Sequence, residues 1–266
     1  MSSFPNIDNN YYLKSEKIKF FWKNGFVLLK NVLSKEEIET YRQEIKKVSK
    51  ERNKNKEKEF GGAFDQALNI RFDSKGVEKF CLSKRLGKIA ADLMRVDAVR
   101  IFHEQSIFKS PGDTKSYWHQ DQFFWPLNTN LHIGMWMALT DMTKDMGLMR
   151  FVKNSHTMGD LVGESITIKS ESHFEDIIKK NNLEKIEIES MDAGDCTFHF
   201  GWTIHGAGLN ISSKVREAMI VTYYADGSRV GKLNTKDRKG DAELFLGGKK
   251  EGEIANHPMN TIVYQK

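Results

Sequence analysis

Between Thr197 and His205 the chain sets Phe198, Phe200, Trp202 and Ile204 against Thr197, His199, Gly201, Thr203 and His205, at a period of two. A strand turns successive side chains to opposite sides, so this stretch reads as a strand with one face on a core and one polar face. The same short alternating runs recur at Val99 to Phe108, Leu131 to Thr140 and Val215 to Tyr224, separated by Pro, Gly, Asn and Asp clusters. From about residue 98 onward the chain is therefore expected to be rich in strands.

The first third has a different texture. Ile18, Phe21 and Trp22 lie at helical spacing in residues 13 to 24, Gly25 ends that helix, and Phe26 to Leu29 forms a short apolar strand. Ser34 with Glu37 makes a capping box for a second helix, whose apolar stripe is Ile38, Tyr41, Ile45 and Val48. Residues 75 to 95 read as one more helix, and Ser172 to Asn182 as a helix inserted among the strands. Helices first and strands later predict an α+β fold, mainly β, with an antiparallel sheet or barrel under a helical layer and a pocket at its mouth. At 266 residues, with 39% apolar and 29% charged, the chain suits one domain with a sizeable core.

The formal charge of +5, from 41 basic and 36 acidic residues, is spread along the chain apart from one cluster between Lys46 and Lys58. Lys54, Lys56, Glu57 and Lys58 there read as a solvated helix end, and no nucleic-acid partner is expected. Cys81 and Cys196 stand alone, outside any CxxC spacing, so neither a disulfide framework nor a zinc knuckle is suggested. The N-terminus lacks a basic region followed by an apolar core, and no run approaches the roughly 18 apolar residues of a membrane span. The expectation is a cytoplasmic protein with no membrane partner.

Residues 117 to 126 read YWHQDQFFWP, where His119 and Asp121 fall on the same side of a strand. Two histidines and one carboxylate make a facial triad that leaves neighbouring positions on Fe(II) open for a 2-oxo acid and O2. The third ligand comes from elsewhere, and either His199 or His205 can supply it. Eleven residues after His205 comes Arg216, sharing a strand face with Ala218, Ile220 and Thr222. An inward-facing arginine needs an anion, and a bidentate carboxylate pair suits a guanidinium where lysine would not match it.

These segments together resemble the phytanoyl-CoA dioxygenase family of Fe(II)/2-oxoglutarate oxygenases. The likeness runs from GFVLLKNVLS through WHQDQFFWP and GLMRFVKNSH to GDCTFHFGWTIHGAGLN and REAMIVTYYADG, about residues 15 to 230. It implies a double-stranded β-helix, a jelly-roll or cupin-like barrel, with N-terminal and flanking helices. One domain would then span 1–266, with a helical layer at about 13–95, the β-helix core at about 98–230 and a C-terminal extension at 231–266.

The resemblance implies iron ligation by His119, Asp121 and His205, and 2-oxoglutarate binding by Arg216, with Trp136 beside the cosubstrate. Gln105 and Lys109, on one face of the preceding strand, are placed to contact the 2-oxo acid or the substrate, and Trp125 and His199 to line the substrate pocket. The implied reaction is hydroxylation of an aliphatic carbon of a small molecule, with O2 and with 2-oxoglutarate going to succinate and CO2. Asp121 favours this over halogenation, for which related enzymes carry Gly or Ala at that place. Two other classes stand beside it: a non-catalytic sensor that binds metal and 2-oxo acid, and a cupin-type metalloenzyme that needs no 2-oxoglutarate.

Some positions depart from the family pattern. HGAG replaces HGSG, so Ala207 lacks a hydroxyl that Thr222 or Thr197 would have to supply. KNSH replaces PGSH, and Asp145, Met146, Gly147 and Leu148 replace the usual segment before it. Lys109, Lys115, Lys153, His103, His132 and His199 are available to an anionic substrate. His156 reads as a loop-holding residue, and the stretch from Asn234 to Lys266 as a loop-rich lid or dimer contact.

Overall fold

The computed structural model describes residues 4–54, 65–163 and 165–266. Lys56, Glu57 and Lys58 of the basic cluster lie outside the described residues. Helix α1 (Ser15–Asn24) ends where Gly25 takes φ 87°, and strand β1 (Phe26–Leu29) follows. A Cβ on Gly25 would fall 2.6 Å from His156 Nδ1 and 2.7 Å from Thr203 Oγ1, so packing requires glycine here as well as the left-handed backbone. Helix α2 (Lys35–Asn53) carries the Ser34–Glu37 capping box and buries Ile38, Tyr41, Ile45 and Val48.

Strand β2 (Asp65–Leu68) is an element the sequence pattern did not announce. The helix expected over 75 to 95 is two helices, α3 (Lys75–Cys81) and α4 (Lys84–Met94). Ser83 breaks it: its backbone is extended at φ −57° and ψ 126°, and its buried hydroxyl donates to Ile7 O at 2.7 Å.

The remaining elements are β3 (Ala98–Lys109), β4 (Ser116–His119), β5 (His132–Ala138), β6 (Met142–Thr143), β7 (Met149–Val152) and α5 (Ile168–Lys180). After them come β8 (Lys185–Glu187), β9 (Ser190–Met191), β10 (Cys196–Phe200), β11 (His205–Ala207), β12 (Arg216–Ala225), α6 (Lys236–Leu246) and β13 (Ile262–Gln265). A seven-stranded antiparallel sheet runs β1-β10-β5-β12-β3-β13, with β2 also on β3, and a four-stranded one runs β4-β11-β7-β8. The inserted helix α5 begins at Ile168, four residues before the expected Ser172, because Thr167 supplies its N-cap.

One face of the large sheet carries Ile133, Met135, Met137, Phe198, Met219 and Val221, which join the apolar stripes of the helices in the main core. The other face turns Trp136, Ala138 and Ala218 toward Met149, Phe151 and Ala207 of the small sheet. Phe26 and Phe151 stack across that gap, ring centroids 4.4 Å apart and 5° from parallel. The functional residues fall between the sheets.

One strand expectation needs correction. The run from Thr197 to His205 is not one strand: β10 ends at Phe200, a turn follows in which Thr203 N–H reaches Phe200 O at 2.9 Å, and β11 begins at His205 in the other sheet. The stretch from Asn234 to Lys266 is loop-rich but also carries α6, capped by Thr235, and β13, paired to β3. Its buried Asn260 donates through Nδ2 to Ile101 O at 3.1 Å and Phe245 O at 2.9 Å. Both cysteines are buried and unpaired, and no described helix is long and apolar enough to cross a membrane.

Candidate metal centre

His119 is the last residue of β4, and Asp121 already belongs to a single 3-10 turn, Asp121–Phe123, so only the histidine lies on the strand proper. The expected geometry survives because Gln120 between them keeps extended backbone, φ −124° and ψ 117°. Side chains still alternate across it, so His119 and Asp121 share a side and Gln120 takes the other. There Gln120 Nε2 donates to Gly159 O at 2.8 Å and Trp202 O at 2.7 Å, while its Oε1 accepts from Leu161 N at 3.1 Å. From α5, Glu171 accepts from Trp118 N at 2.6 Å and Glu175 from Trp118 Nε1 at 2.7 Å, which holds β4 from behind.

His205 opens β11 directly across from His119 in the antiparallel register. His119 Nδ1 lies 2.7 Å from Tyr117 O and His205 Nδ1 lies 2.9 Å from Thr203 O. A carbonyl only accepts, so each Nδ1 carries the proton and each Nε2 presents a lone pair. His119 Nε2 is 3.4 Å from Asp121 Oδ1, and His205 Nε2 is 3.6 Å from Asp121 Oδ2. One donor atom from each of the three lies within 4.8 Å of the others.

The charges suit a cation. Burial raises the Asp121 carboxyl, but His205, His119 and His199 around it outweigh burial and hold it well below the usual carboxylate range. Burial pushes the His205 imidazolium well down, and the nearby His199 and His119 push the same way, so the ring stays neutral. Two imidazoles turned with Nε2 toward one carboxylate, with open space beside them, are a donor set that fits Fe(II).

That open space is a cavity of about 450 Å³. The three donors line it, with Arg216 and Trp136 on its large-sheet wall. Arg216 is 1% exposed; its Nη1 donates to Gly147 O at 2.6 Å, its Nε has no hydrogen-bond partner among the described residues, and burial pulls its pKa down to about 10. Glu217, its neighbour, points to the other face and accepts from Arg42 Nε and Lys46 Nζ of α2, each at 2.6 Å. A pair between Arg216 and Glu217 is therefore absent.

Among the other expected residues, Gln105, Trp125 and His199 line the cavity. Trp125 is stacked on the buried His132 at 3.7 Å, which fixes its plane. Lys109 shares Gln105's strand face but lies outside the lining: it is fully buried and donates to Gly208 O at 2.8 Å, and burial with Arg216 nearby lowers its pKa to about 6. Lys115 lines the mouth but is paired to Glu171 at 2.6 Å, and Lys153 is paired to Glu184 at 2.7 Å. His156 Nε2 lies 3.1 Å from Trp22 O, a loop-holding contact. Thr222 Oγ1 donates to His103 O at 3.0 Å, whereas Thr197 Oγ1 is buried without a partner among the described residues.

The sequence reading missed Gln66, Tyr117 and Met149 in the lining. Gln66 reaches it from β2, which pairs Gln66 with Ile107 across the edge of the large sheet, and its amide contacts Gln105. His103, read only as one of several groups available to an anion, is stacked on Phe245 of α6 at 4.5 Å, and burial pushes its pKa down to about 4.

The model of the phytanoyl-CoA dioxygenase (PhyH) family matches residues 21–218. The chain is 24% identical to "Phytanoyl-CoA dioxygenase 1" of Oryza sativa subsp. japonica, over 85% of this chain and 95% of that protein. It is 21% identical to "Ectoine dioxygenase" of Stutzerimonas stutzeri, over 80% of this chain and 78% of that one. Among solved structures, the non-heme alpha ketoglutarate dependent carbocyclase SnoK from nogalamycin biosynthesis superposes with a TM-score of 0.79 at 20% identity, covering 98% of this chain and 99% of that one.

Proposed function

This chain belongs to the phytanoyl-CoA dioxygenase family, and from that premise we propose that it is an Fe(II)/2-oxoglutarate-dependent dioxygenase that hydroxylates an aliphatic carbon of a small molecule. The observation that carries this reading is the meeting of three donors with free Nε2 and carboxylate atoms, in one cavity with a buried arginine whose Nε is unsatisfied. His119, Asp121 and His205 hold the iron, and the two sheets are the halves of a double-stranded β-helix in one domain.

Iron, 2-oxoglutarate and O2 together supply the oxidation, with succinate and CO2 as co-products. The chain's own residues do the rest. Arg216 takes the distal carboxylate of 2-oxoglutarate through charge-assisted hydrogen bonds, which satisfy its Nε and offset its burial. Trp136, with the guanidinium 5.3 Å from its ring centroid, walls that end of the cavity. Ala207 and Ile220 make the surroundings apolar and keep water out. Elsewhere in the lining, Trp125, Tyr117, Gln105 and the neutral His103 meet the substrate, which fixes the hydrogen presented for removal. Asp121 occupies the position a halide would need, which favours hydroxylation over halogenation.

Anaerobic addition of Fe(II) and then 2-oxoglutarate to the purified protein tests this. The expected result is a weak visible charge-transfer band that needs both additions, followed by succinate release with candidate small molecules. A folded, iron-loaded protein without the band moves the reading to a metalloenzyme that does not use 2-oxoglutarate.

A further inference from the structure

His199 is not one of the three clustered donors, yet it lies against them. It comes from β10 of the large sheet, is 3% exposed, and its ring centroid is 4.1 Å from that of His205. Its Nε2 lies 3.2 Å from Asp121 Oδ2. The carboxylate accepts, so Nε2 carries the proton, and Nδ1 is left as a buried acceptor without a partner among the described residues.

The neighbouring strand makes this reach possible. Gly134 of β5 is the register partner of His199. A Cβ there would sit 3.0 Å from His199 Cε1, 3.1 Å from its Nε2 and 3.8 Å from Asp121 Oδ2. Any side chain at 134 would crowd the imidazole just where it meets the carboxylate. Phe151, 5.7 Å away between ring centroids, borders the ring on the small-sheet side.

We propose that His199 is a positioning residue that donates Nε2–H to Asp121 Oδ2 and so leaves Oδ1 as the single oxygen offered to the metal. A carboxylate that chelates with both oxygens takes one more coordination position, and a bidentate 2-oxo acid plus O2 needs three. Holding Oδ2 in a hydrogen bond keeps the third position open and fixes the plane of the carboxylate, the part that partners outside the ligand set play in metal sites generally. Gly134 completes the device by giving the ring its place. The inference rests on the reading that His119, Asp121 and His205 bind the metal.

Co(II) titration of the whole protein, followed by its visible d–d bands, tests the inference without turnover. His199→Phe keeps the ring volume and removes the donor, and His199→Gln restores a donor. Phe should weaken Co(II) binding by about 10- to 100-fold and shift the bands, with Gln bringing both most of the way back. Wild-type affinity and bands in the Phe variant would overturn the role of His199 while leaving the triad standing. A wild-type protein that binds no Co(II) would instead overturn the triad. Should the Phe variant not fold, Gly134→Ala, which displaces the ring without removing it, carries the same two outcomes.

Discussion

The guanidinium of Arg216 lies 5.3 Å from the ring centroid of Trp136, both on the wall of the cavity that also holds His119, Asp121 and His205. The cation is almost fully buried, and its Nε is unsatisfied. Arg216→Ala should raise the 2-oxoglutarate requirement by roughly 10- to 150-fold, the equivalent of about 1.5–3 kcal/mol for a hydrogen bond to a charged group. Succinate release against cosubstrate concentration measures it, and an unchanged requirement removes Arg216 from the carboxylate site.

Asp121 supplies the only carboxylate in the donor cluster. Asp121→Ala should lose bound Fe(II) and hydroxylation together. A ligand that binds only the folded state at 100 times its Kd adds about 2.7 kcal/mol of stability. Adding Fe(II) should therefore raise the melting temperature of the wild-type protein and leave Asp121→Ala unmoved. Equal shifts in both would place the metal elsewhere.

His103 is pushed by burial from 6.5 to about 4. Between those values the unfolded chain binds a proton that the folded one refuses, so stability is full above about 6.5 and falls as pH drops toward 4. The slope is about 1.4 kcal/mol per pH unit for one such group. His132 and His205 are depressed by burial too and add to the same acid loss. His103→Gln should flatten this loss in part, read from urea unfolding at pH 7 and pH 5. An identical drop in variant and wild type would show that His103 is protonated freely in the fold.

Arg71 and Glu104 form an ion pair whose side chains are 2% and 0% exposed, and Glu104 also accepts from Arg71 N at 2.9 Å. Arg71→Ala would strand a carboxylate behind the β3 wall and should cost about 3–5 kcal/mol. Urea titration checks this, and a loss under 1 kcal/mol would mean that Glu104 takes up a proton at little cost.

The strands were legible because alternation reports burial residue by residue: Phe198 and Phe200 face the helices, and Thr197 and His199 the other way. The same signal cannot register a change of sheet. Residues 197 to 205 keep their alternation through the turn at Thr203, so β10 and β11 look like one strand until Thr203 N–H is seen bonding back to Phe200 O at 2.9 Å and Val152 N–H of β7 to Ile204 O at 2.9 Å. His119, Asp121 and Arg216 were readable from local spacing. Gln66 was not, because a four-residue strand is too short to show an alternation and is fixed by its pairing to β3. Helix α6 was hidden by Gly240 and Gly247, although the latter is its left-handed C-cap at φ 62°.

The turn that splits β10 from β11 also divides the site by sheet. His119 and His205 stand in the small sheet and Asp121 lies two residues past the end of β4, while Arg216, Trp136 and His199 stand in the large one. A diacid held at one end by the metal and at the other by Arg216 would thus span the gap between two independently hydrogen-bonded layers. The spacing of those layers becomes a ruler for the cosubstrate, and we expect oxaloacetate and 2-oxoadipate, one methylene shorter and longer, to support far less turnover than 2-oxoglutarate. Equal turnover with all three would mean that the gap adjusts to its occupant.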